Sequence, residues 1–517
     1  MNQPNPQDPE GSTPMQRFHG AGTLRGLGSM PQSTLFEGRF GRMFRNLAPF
    51  GPDDEVLEAL ADTMFEPAAA PGPDEGADSL NNPDIPAGFT YLGQFVDHDI
   101  TFDPASKLMR ENDPNALHDF RTPRFDLDSV YGRGPSDNPF LYEPDGVHLR
   151  IGKIQNGEPD LPRTAPGEGG GPRRALIGDP RNDENVIVSQ IQLAFLKFHN
   201  KVADGLATQF SGDQLFDEAR RVVRWHYQWV VIHDFLTTIV SEGLVEDILG
   251  STTFMVEIGN NRQTVTIPRV NRHFYHWHKQ PFMPVEFSVA AYRFGHSMVR
   301  PRYDLNAVVQ DLPIFDPSPA PGEFADLRGF RERPPSWGIE WHRFFQFPAG
   351  NAGKLQQTRL IDTKLSPGLR TLPLETAGVA DPNDPMRSLA RRNLLRGKAL
   401  GLPSGQDMAR AMGLPETLVL SGDQLGLEGD LATAFNQDSP LWFYILREAE
   451  VLNNGRHLGP VGGRIVAEVL IGLLEGDPSS YLSVEPNWQP TLGPNAGAFT
   501  MVDLLTFASD SGTDQLF

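Results

Sequence analysis

Between Glu184 and Leu206 the chain reads ENVIVSQIQLAFLKFHNKVADGL, and its apolar positions decide the fold class. Ile187, Ile191, Phe195, Phe198 and Val202 recur three or four residues apart, the spacing of one helical face. That spacing predicts an amphipathic helix over Glu184–Leu206. Asp217–Leu236 and Arg464–Leu474 carry similar patterns. Pro284–Val299 has a helix-compatible start, and Pro301 supplies a stop. Strand signals are few: Thr253–Pro268, with its Thr264-Val265-Thr266-Ile267 run, predicts a short hairpin. A mainly α protein with little β is expected.

Working outward, the segments between these helices are rich in turn formers. The 517 residues include 51 glycines and 46 prolines, close to one residue in five. They concentrate in Glu66–Pro86, Asn156–Pro180 and Asp311–Pro335, stretches too long for tight turns. Long loops wrapped around one large helical core fit this distribution. Residues 1–35 read as a flexible tail, and 486–517 as a C-terminal extension packed on or near the domain.

Composition excludes several function classes. The chain has no cysteine, which removes disulfides, cysteine-ligated zinc, iron–sulfur clusters and thiolate enzymes. The formal charge of −21, from 45 basic and 66 acidic residues, argues against nucleic acid as a partner. No apolar run reaches about 18 residues, so no membrane span is expected. The first residues lack a basic and an apolar region. The default expectation is therefore the cytoplasm, with non-classical secretion as the alternative and the oligomeric state open.

Thirteen histidines direct attention to imidazole chemistry. In Tyr91–Phe102, a helix would place Gln94 and His98 on one face at i, i+4, with Asp97 beside them and Asp99 following. The plain alternative is a capped helix end with a structural histidine. In Gly178-Asp179-Pro180-Arg181-Asn182-Asp183-Glu184, Asp183 and Glu184 suit a first helical turn, because acids complement its dipole. Arg181 suits it poorly and is expected to serve another purpose. In Tyr292-Arg293-Phe294-Gly295-His296, apolar neighbours would bury His296, a pattern more typical of a core histidine than of a ligand. A helix-interior Gly295 costs roughly 1 kcal/mol relative to alanine. Such a glycine marks close approach of something large.

Together these clusters resemble the animal haem peroxidase family, a branch of the peroxidase–cyclooxygenase superfamily that includes myeloperoxidase-like proteins. The resemblance rests on Gly93–Asp99, Gly178–Arg181, Phe198–Lys201 and Tyr292–His296. It continues through Asn393–Arg396, Gly401–Pro403 and Gly459–Val461 in consistent order and implies one peroxidase domain over residues 36–485. It implies a haem b enzyme that reduces hydrogen peroxide through a ferryl intermediate and oxidises small organic donors or halide and pseudohalide anions. His98 then corresponds to the distal proton-transfer histidine, Arg181 to the distal arginine, and Gln94 to the glutamine that positions water or a small anion. His296 corresponds to the iron ligand, Asn393 to its hydrogen-bond partner, and Arg293 to a propionate partner. Asp97 and Glu184 fall at the positions of ester links to the haem. Asn185 stands where myeloperoxidase carries an additional methionine, so no sulfonium link is expected and efficient chloride oxidation is not implied.

The resemblance also implies a Ca²⁺ site built from Asp99, Thr122, Arg124 through its carbonyl, Asp126 and Asp128. Asp128 replaces a familiar serine, and the added carboxylate should strengthen binding. A solvated acidic loop is the alternative. Tyr275-His276-Trp277-His278 is similar to the motif of the superfamily's dioxygenases. The competing expectation is a fatty-acid dioxygenase with Tyr275 as radical and His278 as iron ligand. A third is a non-catalytic haem-binding module. His296 is preferred over His278 because its flanks match the peroxidase pattern, whereas Pro281 and Pro284 interrupt any helix after His278.

Overall fold

The computed structural model describes residues 38–510, apart from 68–77, 102–117, 120, 166–172, 259–260, 317, 319–321, 349–352 and 496. The expected N-terminal tail lies outside the described residues, as do parts of the three turn-rich stretches.

Eight helices of eight residues or more are found among the described residues: α1 (Asp54–Thr63), α2 (Gly88–Ile100), α3 (Val186–Leu206), α4 (Gly212–Val230), α5 (Leu389–Ala399), α6 (Leu441–Asn453), α7 (Pro460–Gly476) and α8 (Met501–Ala508). The fold is mainly α, as expected. The β content is small: a two-stranded hairpin, a three-stranded sheet and three two-stranded pairs. The hairpin, Leu249–Ile258 with Asn261–Val270, is longer than the sequence suggested and keeps one register from Leu249↔Val270 to Ile258↔Asn261.

Helix α3 begins two residues later than its pattern. Asn185 is the N-cap, its side chain accepting the Val188 N–H at 2.9 Å. Asp183 and Glu184 therefore precede the helix and do not act as first-turn acids. The predicted face is buried, but so are Val188, Leu193, Ala194 and Leu196. The helix is central, not amphipathic, because α2, α4 and α8 cover it from different sides. Two of its buried polar side chains find charged partners: Gln190 donates to Asp160 and Lys197 pairs with Asp510.

Pro284–Val299 departs further. Glu286–Ala290 is a π turn, and Ala291–His296 continues as a 3₁₀ helix after Ala290 at φ −125°, ψ −73°. Its start is fixed by the buried Glu286 carboxylate, which accepts the N–H groups of Met43 and Phe44 at 3.1 Å. Helices α2, α6 and α7 all pack against Ala291–His296. One connected set of buried apolar residues runs from Phe40 to Ala508 and includes Trp488, Phe499 and Leu504 of the C-terminal stretch.

Candidate active site

Two faces meet around α2 and the 3₁₀ segment Ala291–His296. Gly93 lets the segment Val231–Leu236 pack closely on α2, since a Cβ there would touch the Phe235 ring at 3.1 Å. The Tyr292 hydroxyl donates to the Gly93 carbonyl at 3.2 Å and ties the two elements.

The first face is built on α2 and the turn Pro180–Asp183. His98 and Gln94 lie one helical turn apart, as the sequence predicted. His98 is buried, and its Nδ1 lies 2.7 Å from Asn182 Oδ1. The Asn182 amide is oriented by donating from Nδ2 to Gln192 Oε1 at 2.8 Å. A carbonyl oxygen only accepts, so His98 carries its proton on Nδ1 and its lone pair on Nε2. Nε2 lies 3.8 Å from Glu184 Oε1. Gln94 donates to Glu184 and accepts from Asn185 Nδ2 at 3.0 Å. Burial pushes the Glu184 carboxyl up to about 8, against the pull of Arg181. Burial raises Asp97 as well, opposed by Arg181 and by Thr101, which donates to Asp97 Oδ1 at 2.9 Å.

Arg181 is buried on its turn, and its purpose is visible. One terminal nitrogen donates to the carbonyls of His98 (3.0 Å) and Thr101 (2.6 Å), placing a cation at the C-terminal end of α2. The same guanidinium holds Asp179, with Nε 3.2 Å from both carboxylate oxygens and a terminal nitrogen 2.8 Å from Oδ2.

Behind this face stands the acidic loop. Carboxylate oxygens of Asp99, Asp126 and Asp128 lie within 4.8 Å of one another. Leu127 adopts φ 58°, ψ 35°, a left-handed conformation uncommon for a residue with a side chain. Its N–H thereby reaches Asp99 Oδ2 at 3.2 Å, while Ser129 donates to Asp99 Oδ1 at 3.0 Å. Thr122 donates to Asp126 Oδ2 at 2.6 Å, and the Arg124 N–H donates to the Thr122 carbonyl at 2.8 Å. Burial, then the mutual repulsion of the carboxylates, holds Asp99 well above the usual range. Burial brings Asp128 to about 7, with Arg121 opposing. Converging hard oxygens whose charges are this poorly tolerated fit a divalent cation such as Ca²⁺.

The second face carries His296. Contrary to the core-histidine pattern, it is only half-buried, because Gly295 opens onto space: a Cβ there would meet nothing within 4 Å. Asn393, from α5, donates from Nδ2 to His296 Nδ1 at 2.9 Å, and its Oδ1 accepts from Arg293. Trp442 of α6 fixes the backbone by donating to the Arg293 carbonyl at 3.3 Å.

Tyr275 and His278 lie apart from this. The Tyr275 hydroxyl donates to the Phe282 carbonyl at 2.6 Å, and burial keeps its ionisation well above the usual phenol value. Its ring packs on α7 where a Cβ at Gly472 would collide with it at 2.5 Å. The buried Glu468 carboxylate accepts the N–H groups of His273, Phe274 and Tyr275 at 2.8–3.0 Å. His278 is exposed. The Tyr-His-Trp-His stretch is thus a pinned structural segment. Sequence reasoning missed Asn182, Gln192, Asp179 and Arg121. Only the adjacency of Asn182 and Asp179 to Arg181 signalled any of them.

Comparisons with known proteins bear on the family and the fold. Residues 110–419 match the family model described as animal haem peroxidase; the match begins after α2, so residues 94–99 stand outside it. Chorion peroxidase of Drosophila melanogaster is 25% identical over 400 residues, covering 73% of this chain and 43% of that protein. The chain thus spans less than half the length of that relative. Among solved structures, peroxidase A from Dictyostelium discoideum aligns with a TM-score of 0.63 at 16% identity, covering 92% of this chain and 94% of that one. A fatty acid alpha-dioxygenase of Arabidopsis thaliana aligns with a TM-score of 0.50 at 16% identity, covering 96% and 78%. At these identities the structural likenesses establish the fold alone.

Proposed function

The chain belongs to the animal haem peroxidase family, and from that premise we propose that it reduces hydrogen peroxide and oxidises small organic donors or halide and pseudohalide anions. The observation that carries this reading is the His98–Asn182 bond, which presets the tautomer a proton-transfer base needs, beside a buried arginine.

The residues present fit a haem. A Cβ on Gly295 would meet nothing within 4 Å, His296 offers a ligand nitrogen, and Arg293 offers a cation for a propionate. Haem iron bound there supplies the redox centre and polarises peroxide. His98 Nε2 takes the proton from one peroxide oxygen and returns it to the other, which leaves as water. Arg181 contributes fixed positive charge to the oxygen on which negative charge develops, in a site where burial makes that charge more effective. Gln94, held by Asn185 and Glu184, positions water or a small anion. Asp97 and Glu184 are the carboxyls we assign to covalent attachment of the haem. Asp99, Asp126 and Asp128, with Thr122 and the Arg124 carbonyl, hold Ca²⁺.

The test is guaiacol oxidation by hydrogen peroxide in haem-supplemented protein, alongside oxygen uptake with linoleate. A Soret band with guaiacol turnover is expected. Absence of the band after supplementation sinks the proposal, and linoleate-dependent oxygen uptake without peroxidation replaces it with the dioxygenase reading.

A further inference from the structure

Four buried or nearly buried charged residues alternate between the distal arginine and the acidic loop. Arg181 holds Asp179, which is 1% exposed. Asp179 Oδ2 also accepts from Arg121, at 3.1 Å from Nε and 2.5 Å from a terminal nitrogen. The other terminal nitrogen of Arg121 lies 3.1 Å from Asp128 Oδ1. The two arginines therefore share one oxygen of Asp179, and Arg121 divides its charge between Asp179 and a member of the carboxylate triad. The backbone reinforces this adjacency. A Cβ on Gly178 would meet the Asp128 carbonyl at 2.4 Å, and the Asp179 N–H donates to the Ser129 carbonyl at 3.0 Å.

We infer that Arg121 is a positioning residue that couples cation occupancy of the Asp99–Asp126–Asp128 triad to the charge Arg181 presents at the haem. The inference rests on the haem and Ca²⁺ assignments above. A cation in the triad competes with Arg121 for Asp128. Arg121 then leans on Asp179 and takes up more of the oxygen it shares with Arg181. Less of the Arg181 charge is neutralised, and an anion bound on its side of the haem is held more tightly. Burial supports the transmission, because charges removed from solvent are poorly screened. Burial by itself would raise Asp179, but Arg121 and then Arg181 outweigh it and hold the carboxyl well below its usual range.

The probe is fluoride, titrated by absorbance into haem-loaded protein with and without Ca²⁺. Thermal shift of the haem-free protein reports Ca²⁺ binding separately. Wild type should bind fluoride about five- to tenfold more tightly with Ca²⁺, near the low end of measured site–site couplings. Arg121→Gln should bind fluoride weakly and lose the Ca²⁺ dependence, and Arg121→Lys should restore it in part. Should Arg121→Gln fail to fold, Asp128→Ser tests the link from the other end with the opposite sign: fluoride affinity stays at the Ca²⁺-saturated level whether or not Ca²⁺ is present. Because Asp99 adjoins His98, coupling could instead run through α2. A full Ca²⁺ effect surviving in Arg121→Gln or Asp128→Ser, with Ca²⁺ binding confirmed, overturns the inference. A missing Soret band overturns the haem assignment instead, and absent Ca²⁺ binding by wild type overturns the cation step.

Discussion

The two faces of the site are prepared to different degrees. On the His98 face, a chain of amides fixes the imidazole with its proton on Nδ1, the form a base at Nε2 requires. On the His296 face the preparation runs the other way. Asn393 donates to His296 Nδ1, which places the ring proton on Nε2. Iron binding through Nε2 needs that proton on Nδ1, accepted by Asn393 Oδ1, which here takes Arg293 instead. On the proposed reading, Arg293 would exchange Asn393 for a haem propionate and the Asn393 amide would turn over. The His98 tautomer is set by an acceptor amide with no rival for it among the described residues, whereas the His296 tautomer follows how Asn393 divides itself between the ring and Arg293.

The largest expected effects separate the two faces. His296→Ala should abolish the Soret band of haem-supplemented protein. His98→Ala should keep the band and lose about 10²- to 10⁴-fold in peroxide-dependent guaiacol turnover, the usual worth of general acid–base catalysis. A His98→Ala protein that fails to load haem would mean the faces are not independent.

The preset tautomer is next. Asn182→Leu removes the acceptor for the His98 Nδ1 proton and should cost about 10- to 100-fold in turnover, the range for losing a partner that orients a histidine. Asn182→Asp keeps an acceptor oxygen and should lose less. Equal losses in both variants would show that volume, not proton placement, is what Asn182 contributes.

These residues also mark how far the sequence could be read. Gln94 and His98 were legible because a helix converts a four-residue interval into a shared face, and α2 formed as its pattern required. The His296–Asn393 pair was legible through motifs, although nothing in 284–299 announced the π turn that precedes His296. That turn depends on Glu286 catching backbone of residues 43–44, a contact across more than 240 residues. Asn182 and Arg121 act by the same long-range convergence, Asn182 on His98 84 residues away and Arg121 on Asp179 58 residues away. No local period encodes such pairings. The amphipathic reading of α3 failed for a related reason: what covers its second face comes from elements distant in sequence.

Gly295→Ala probes the unfinished face with a smaller effect. The added methyl meets nothing within 4 Å and removes a helix-interior glycine, so the haem-free protein should melt at the same temperature or slightly higher. Haem affinity, measured by titration, should nevertheless fall severalfold, because the proposed cofactor would lie in that open space. Unchanged haem affinity would place the cofactor elsewhere.

The smallest effect concerns what backs the prepared face. Helix α3 is covered by the C-terminal stretch, where Phe198 packs on Phe499 and Phe507. That stretch is clamped by the fully buried His226. Its Nδ1 donates to the Val222 carbonyl at 2.7 Å, and its Nε2 accepts the N–H groups of Thr491 (3.3 Å) and Leu492 (3.2 Å). A protonated ring would turn a donor toward two donors. Burial holds the imidazole down at about 4, whereas an unfolded histidine takes up its proton near pH 6.5. Stability from this clamp is therefore complete above about pH 6.5 and is lost as pH falls toward 4, amounting to about 1 kcal/mol by pH 5.5. Thermal melts between pH 7 and 5.5 should show wild type losing more than His226→Gln, whose amide oxygen can still accept but does not titrate. Parallel losses would remove His226 as the cause and leave the rigidity of the His98 face to its amide network alone.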